Sequence, residues 1–164
     1  MNRRLSLIAA LTSGLLLAAC KPTTPPTPAI EGATTAETRI GDLLISAATS
    51  RETPLAGGTG PGFMSIRNAG SADDRLLSAS SPMTTSVELH DVSMADGQMT
   101  MRALPEGLLI PAGGKVELAT GGLHLMLIGV TEALAAGQTV PVELRFEKAG
   151  TVTVPFAVIA RKAQ

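Results

Sequence analysis

The chain has 164 residues and a net charge of −1, with three Phe and no Trp or Tyr. That bounds it to one globular domain with extensions, and it excludes both a basic nucleic-acid footprint and an aromatic platform for stacking bases or sugars. With 45% hydrophobic and 16% charged residues, 17 Gly and 11 Pro, the chain carries apolar material cut into short segments.

Met1-Asn2-Arg3-Arg4 is a short cationic start, followed by an apolar run from Leu5 to Leu17 that ends in Ala18-Ala19-Cys20. This pattern predicts a signal peptide over residues 1–19, because about 20 apolar residues are needed to span a bilayer and this run is shorter. Leu17-Ala18-Ala19-Cys20 resembles a bacterial lipoprotein signal, in which the Cys becomes the mature N-terminus and carries lipid. Cys20, the single Cys of the chain, is therefore the expected lipidation site, which implies a membrane-anchored lipoprotein of the periplasm and leaves no thiol for a disulfide or a metal. Removal of residues 1–19 takes away two of the 13 cationic residues and none of the 14 acidic ones, leaving a mature charge of −3.

Residues 20–38 read as a linker. Lys21-Pro22-Thr23-Thr24-Pro25-Pro26-Thr27-Pro28 favours extended polyproline-like conformations, and such a tether reaches on the order of 50 Å. The domain is expected over 39–164, and its period is that of an all-β fold. Candidate strands are Ile40–Ala47, Gly62–Asn68, Asp74–Ser80, Ser86–Val92, Gln98–Leu104, Gly107–Ile110, Lys115–Leu118, Leu123–Val130, Val140–Glu147 and Thr151–Ala160. Short strands with a turn signal between each pair favour a β-sandwich or barrel over βαβ units. Thr131 to Gly137 reads as a helical turn or a loop.

Two hairpins organise this series. In the later one Val142, Leu144 and Phe146 alternate with Glu143, Arg145 and Glu147, the mark of a half-solvated antiparallel sheet. Pro155 in its second arm suggests an edge or a bulge. In the earlier hairpin, Val87–Val92 and Gln98–Leu104 flank a four-residue loop, Met94-Ala95-Asp96-Gly97. Pairing about that loop places His90 opposite Met101, and opposed residues share a face with Cβ atoms roughly 4.5–5.5 Å apart. Farther along, His124 and Met126 are an i, i+2 pair and project from one side of their strand, away from the core face of Leu123, Leu125 and Leu127. The expectation is a half-exposed pair.

A Met on a strand ordinarily fills a core gap and an isolated His is ordinarily structural. Here the only two His residues of the sequence each lie one strand position from a Met on the same face. If the strand ends converge, His90, Met101, His124 and Met126 form a site of two imidazoles and two thioethers. Thioethers are soft neutral donors that suit Cu(I) far better than Mg or Ca, whereas zinc would be expected to recruit thiolates or carboxylates. Met94 and Met99 are possible accessory metal ligands. Four neutral ligands leave Cu(I) its full charge, so an acceptor bearing Cys thiolates could take it stepwise, and binding should weaken as pH drops through the imidazole range.

These residues resemble the periplasmic copper chaperones called PCu(A)C, whose signature is a His, a Met eleven residues later and a distant His-x-Met. The matching positions are His90, Met101 and His124-Leu125-Met126, flanked by Val87-Glu88-Leu89-His90, Asp96-Gly97-Gln98-Met99-Thr100-Met101-Arg102 and Gly121-Gly122-Leu123-His124, and the similarity runs from about Ile40 to Ile159. The interval between Met101 and His124 is one residue longer than the family pattern, an insertion assigned to the turn around Leu104–Gly107. His90 is followed by Asp91-Val92 where His-Glu-Met is commoner, which leaves Met94 as the spare thioether. The resemblance implies a cupredoxin-like Greek-key β-sandwich or barrel and Cu(I) held by two His and two Met. It also implies delivery of copper to the Cu(A) domain of cytochrome c oxidase subunit II, alongside a Sco-type protein. The tail Ala160–Gln164 has neither His nor Met, so no second copper site is expected there.

Two other readings stand beside this one. One is a copper-sequestering or tolerance lipoprotein without a dedicated acceptor, and the other is a structural β-sandwich lipoprotein without metal. No enzyme is expected: Ser80-Ser81-Pro82 and Gly57-Gly58-Thr59-Gly60 are turn chemistry without the strand-to-helix context of a nucleophile or phosphate loop. Asp73-Asp74-Arg75 reads as a solvated turn.

Overall fold

The computed structural model describes residues 37–95 and 98–161, with 94 and 95 described by their backbone alone. The expected signal peptide, Cys20 and most of the expected linker lie outside the described residues. Within them the chain is all β, without a helix, as eleven strands: β1 (Thr38–Ile40), β2 (Leu43–Arg51), β3 (Thr59–Asn68), β4 (Asp74–Ser80), β5 (Thr84–Ala95), β6 (Gln98–Ala103), β7 (Leu108–Ile110), β8 (Lys115–Leu118), β9 (His124–Val130), β10 (Thr139–Phe146) and β11 (Thr151–Ile159).

Seven of them close a ring. The order β2-β11-β10-β4-β5-β9-β3 returns to β2, which pairs both with β3 and, in parallel, with β11. The remaining four add to this ring: β1 on β2, β8 on β3, β7 on β4 and β6 on β5. Closure leaves the ring without a free edge around a largely apolar interior. Leu76, Leu125, Leu127, Leu144, Val142 and Phe156 are fully buried there.

Period-2 alternation explains most of the packing. In β10, Val140, Val142, Leu144 and Phe146 are buried while Thr139, Glu143 and Arg145 are exposed, and β11 answers with Val154, Phe156 and Val158 inward. Pro155 lies on a locally unpaired edge of β11 and not at a bulge. It stands opposite Pro141 in the β10–β11 ladder, a pair that has no N–H to exchange, and β11 begins to pair with β2 only at Ala157 while β10 begins to pair with β4 only at Glu143. Each missing N–H thus falls where the next strand has not yet begun.

Two features of the frame were not foreseen. The register between β2 and β3 shifts between Ser46 and Thr49, where Ala47 adopts φ 53°, so a bulge carries the core face from Leu43 and Ile45 onto Ala48 and Ser50. Asp74 is buried rather than a solvated turn residue. Its carboxylate accepts the backbone N–H groups of Arg75, Lys148 and Ala149 at 2.7–2.9 Å and so fastens the β10–β11 turn to β4. The stretch from Thr131 to Gly137 is a loop of bends, held by a bridge between Thr53 and Leu134, whose side chain is buried.

Candidate metal centre

The two histidines come together through strand pairing. β5 runs antiparallel to β9 with Leu89 opposite Leu125 and Val87 opposite Leu127 on the core face, which puts His90 opposite His124 on the other face. Their ring centroids are 5.8 Å apart at an interplanar angle of 55°. One step along the same ladder Glu88 faces Met126, and Met126 is also paired with Pro61 of β3.

The first hairpin is tighter than its sequence implied. Pairing continues to Ala95 opposite Gln98, so residues 94 and 95 belong to the β5 arm and not to the four-residue loop expected from Met94 to Gly97. His90 is consequently opposite Ala103, and Met101 is opposite Val92. The displacement is an even number of residues, so no side chain changes face. Met101 remains on the side of β5 that carries His90, as its diagonal rather than its direct neighbour, a spacing of about 7–8 Å between Cα positions. β6 pairs with β5 alone and all six of its residues are exposed, with Met101 at 50% and Met99 at 73%. Met94 is paired with Met99 in the ladder.

His124 is 6% exposed, so it is buried where a half-exposed side chain was expected. The His90 ring lies against it, and its Nδ1 is 3.0 Å from the Gly122 carbonyl. That carbonyl also accepts the Val92 N–H at 3.3 Å, tying the turn before β9 to β5. Gly121 makes the turn possible with φ 84°, a conformation that costs an L-residue about 1–2 kcal/mol. The carbonyl acceptor requires the proton of His124 on Nδ1, which leaves the lone pair on Nε2.

His90 is mostly buried, its side chain 16% exposed. Its Nε2 lies 2.8 Å from Glu88 Oε2, whereas its Nδ1 is buried and has no hydrogen-bond partner among the described residues. An unpartnered buried nitrogen costs on the order of 1–3 kcal/mol unless something fills its lone pair. Among the described residues no group of three or more His, Cys, Asp or Glu side chains could hold a metal ion. The arrangement suits a soft monovalent cation.

Two participants escaped the sequence reading. Glu88 could have been found from its i, i+2 spacing to His90, which puts both on one face of a strand. The Gly122 carbonyl had no sequence signal, because its direction depends on the turn.

A family model described as "Putative lipoprotein LpqE-like" matches residues 43–158. A curated relative from Leifsonia xyli subsp. xyli (strain CTCB07), "Putative lipoprotein Lxx21020", is 38% identical over 96 residues; the alignment spans 58% of this chain and 58% of the relative, less than two thirds of its length. Among solved structures, the copper-bound PCuAC domain from PmoF2 is 28% identical with a TM-score of 0.64, covering 77% of this chain and 99% of that domain. The Cu(I) form of DR1885 from Deinococcus radiodurans is 27% identical with a TM-score of 0.58, covering 77% of this chain and 83% of that one. The apo PCuAC domain from PmoF1 shares the fold, with a TM-score of 0.65 at 24% identity over 77% of this chain and 100% of that domain.

Proposed function

The chain belongs to the LpqE-like family and carries a PCuAC-type domain, and from that premise we propose that it is a Cu(I)-binding metallochaperone that gives up its ion by ligand exchange. The observation that carries this reading is the opposed His90–His124 pair, in which one nitrogen of each ring is fixed by a hydrogen bond and the other is left for a metal. The proposed ligands are His90, Met101, His124 and Met126. Cu(I) fits their chemistry because imidazole and thioether are both neutral and the thioether is soft. The copper named for the PmoF2 domain and for DR1885 supports the same cargo.

Transfer follows from the ligand set. Neutral donors leave the ion its charge, so an incoming thiolate gains more from it than a thioether loses, and ligands can be replaced one at a time. Exposure of Met101 on the projecting β6 arm gives an acceptor one ligand that can be displaced without opening the barrel. The proposed acceptor is the Cu(A) domain of cytochrome c oxidase subunit II, with a Sco-type thiol protein as a companion. The proposed setting is the periplasmic face of a membrane, with the chain anchored through lipid on Cys20. The lipoprotein names of the matching family and of the curated relative support that setting.

Competitive Cu(I) titration under reductant tests the site. His90→Ala and Met126→Ala should each weaken binding at least about tenfold, equivalent to about 1.4 kcal/mol. Undiminished affinity in both variants would refute it.

A further inference from the structure

Glu88 precedes His90 by two residues on one face of β5, and across the ladder it faces Met126. Its side chain is about half exposed, and its carboxylate lies 2.8 Å from Nε2 of the mostly buried His90 ring. An ionised carboxylate accepts hydrogen bonds and donates none, so in the neutral ring the proton sits on Nε2 and the lone pair on Nδ1. That Nδ1 is the buried nitrogen left without a hydrogen-bond partner among the described residues. In His124 the roles are reversed, since the Gly122 carbonyl takes the proton of Nδ1 and the lone pair falls on Nε2.

We propose that Glu88 is a positioning residue that locks His90 in the Nε2–H tautomer, so that the site presents Nδ1 of His90 and Nε2 of His124 to the metal. This rests on the copper reading above and assigns the nitrogens within it. The mixed pair has a geometric consequence. Nδ1 is bonded to Cγ and keeps an ion close to β5, while Nε2 reaches out from β9, so two rings opposed on neighbouring strands can meet one ion between them. The carboxylate also makes the His90 ring a better donor by drawing on its far N–H. Without it the ring would divide between tautomers, and one of the two turns an N–H toward the ion.

Long-range proton–nitrogen NMR spectra of the full chain at about pH 8, where imidazoles are ordinarily neutral, read the tautomers directly. In the metal-free protein His90 should appear as Nε2–H and His124 as Nδ1–H, and Cu(I) should then shift Nδ1 of His90 and Nε2 of His124. Glu88→Ala should give a mixed His90 tautomer and a Cu(I) affinity lower by roughly tenfold, the loss typical of removing an outer hydrogen-bond partner. Glu88→Gln, whose amide oxygen still accepts, should keep the tautomer and bind within about threefold of the unsubstituted protein. Far-ultraviolet circular dichroism of both variants confirms that this exposed position leaves the fold intact. A metal-free His90 in the Nδ1–H form, or a Glu88→Ala protein unchanged in both tautomer and affinity, overturns the positioning role while the copper site itself stands on the His90→Ala result. If Cu(I) shifts neither ring although the tautomers are as stated, the copper reading falls and takes this inference with it.

Discussion

His90 and His124 stand directly opposite each other across the β5–β9 ladder, with ring centroids 5.8 Å apart, although 33 residues separate them in the chain. Two side chains that share one ion do not contribute independently. His90→Ala and His124→Ala should each lower Cu(I) affinity at least about tenfold, and the double variant should lose less than the two losses multiplied together, because the second substitution removes a ligand from a site already broken. Competitive titration of the three variants checks this. Fully multiplicative losses would mean that the two rings are not coupled through a shared ion.

The two methionines of β6 should behave differently. Met101 is diagonal to His90 and half exposed, while Met99 is two residues nearer the hairpin tip and mostly in solvent. Met101→Ala is expected to lower Cu(I) affinity about tenfold and Met99→Ala to change it less than about threefold. Both should alter unfolding free energy by no more than about 0.5 kcal/mol, since neither leaves a core cavity. Equal losses of affinity in the two variants would move the site toward the tip of the hairpin.

Asp74 is a structural anchor between β4 and the β10–β11 turn, and none of its hydrogen bonds goes to a proposed copper ligand. Replacing it by Ala strips three backbone N–H groups of a charged acceptor in a buried place. Urea unfolding should show a loss of about 3 kcal/mol, since hydrogen bonds to charged groups are worth about 1.5–3 kcal/mol each and water recovers part of the loss. Cu(I) affinity of the folded protein should not change.

Ala47 should be improvable. Its φ of 53° costs an L-residue about 1–2 kcal/mol, whereas glycine adopts that conformation freely but gives up about 0.5–1 kcal/mol of chain entropy. The first effect is the larger, so Ala47→Gly is expected to stabilise by about 0.5–1 kcal/mol in the same unfolding assay. A destabilised variant would mean that the Ala47 methyl group contributes packing of its own.

Much of the frame could be read directly from the residues. β4 and β8 have the bounds expected of Asp74–Ser80 and Lys115–Leu118, and the inward series Val142, Leu144 and Phe146 is buried as its alternation requires. These features depend on a period of two along a single strand. The bulge at Ala47 gave no such signal, because alanine carries no preference for positive φ. The hairpin register was misplaced because turn length, not alternation, sets it: a four-residue and a two-residue loop both keep Met101 on the face of His90.

The order of residues alone determined the faces of the four proposed ligands: the imidazoles of His90 and His124 and the thioethers of Met101 and Met126, each assigned to one side of a strand. Alternation is a local property of extended backbone, so it is present before anything pairs. Only the closed barrel decided that β5 lies beside β9, with β6, β7 and β8 intervening in the chain, and that His90 therefore meets His124. It also decided which nitrogen of each ring is left over, through Glu88 on one and the Gly122 carbonyl on the other. Those outcomes rest on contacts between distant segments, and such contacts exist only once the ring has closed.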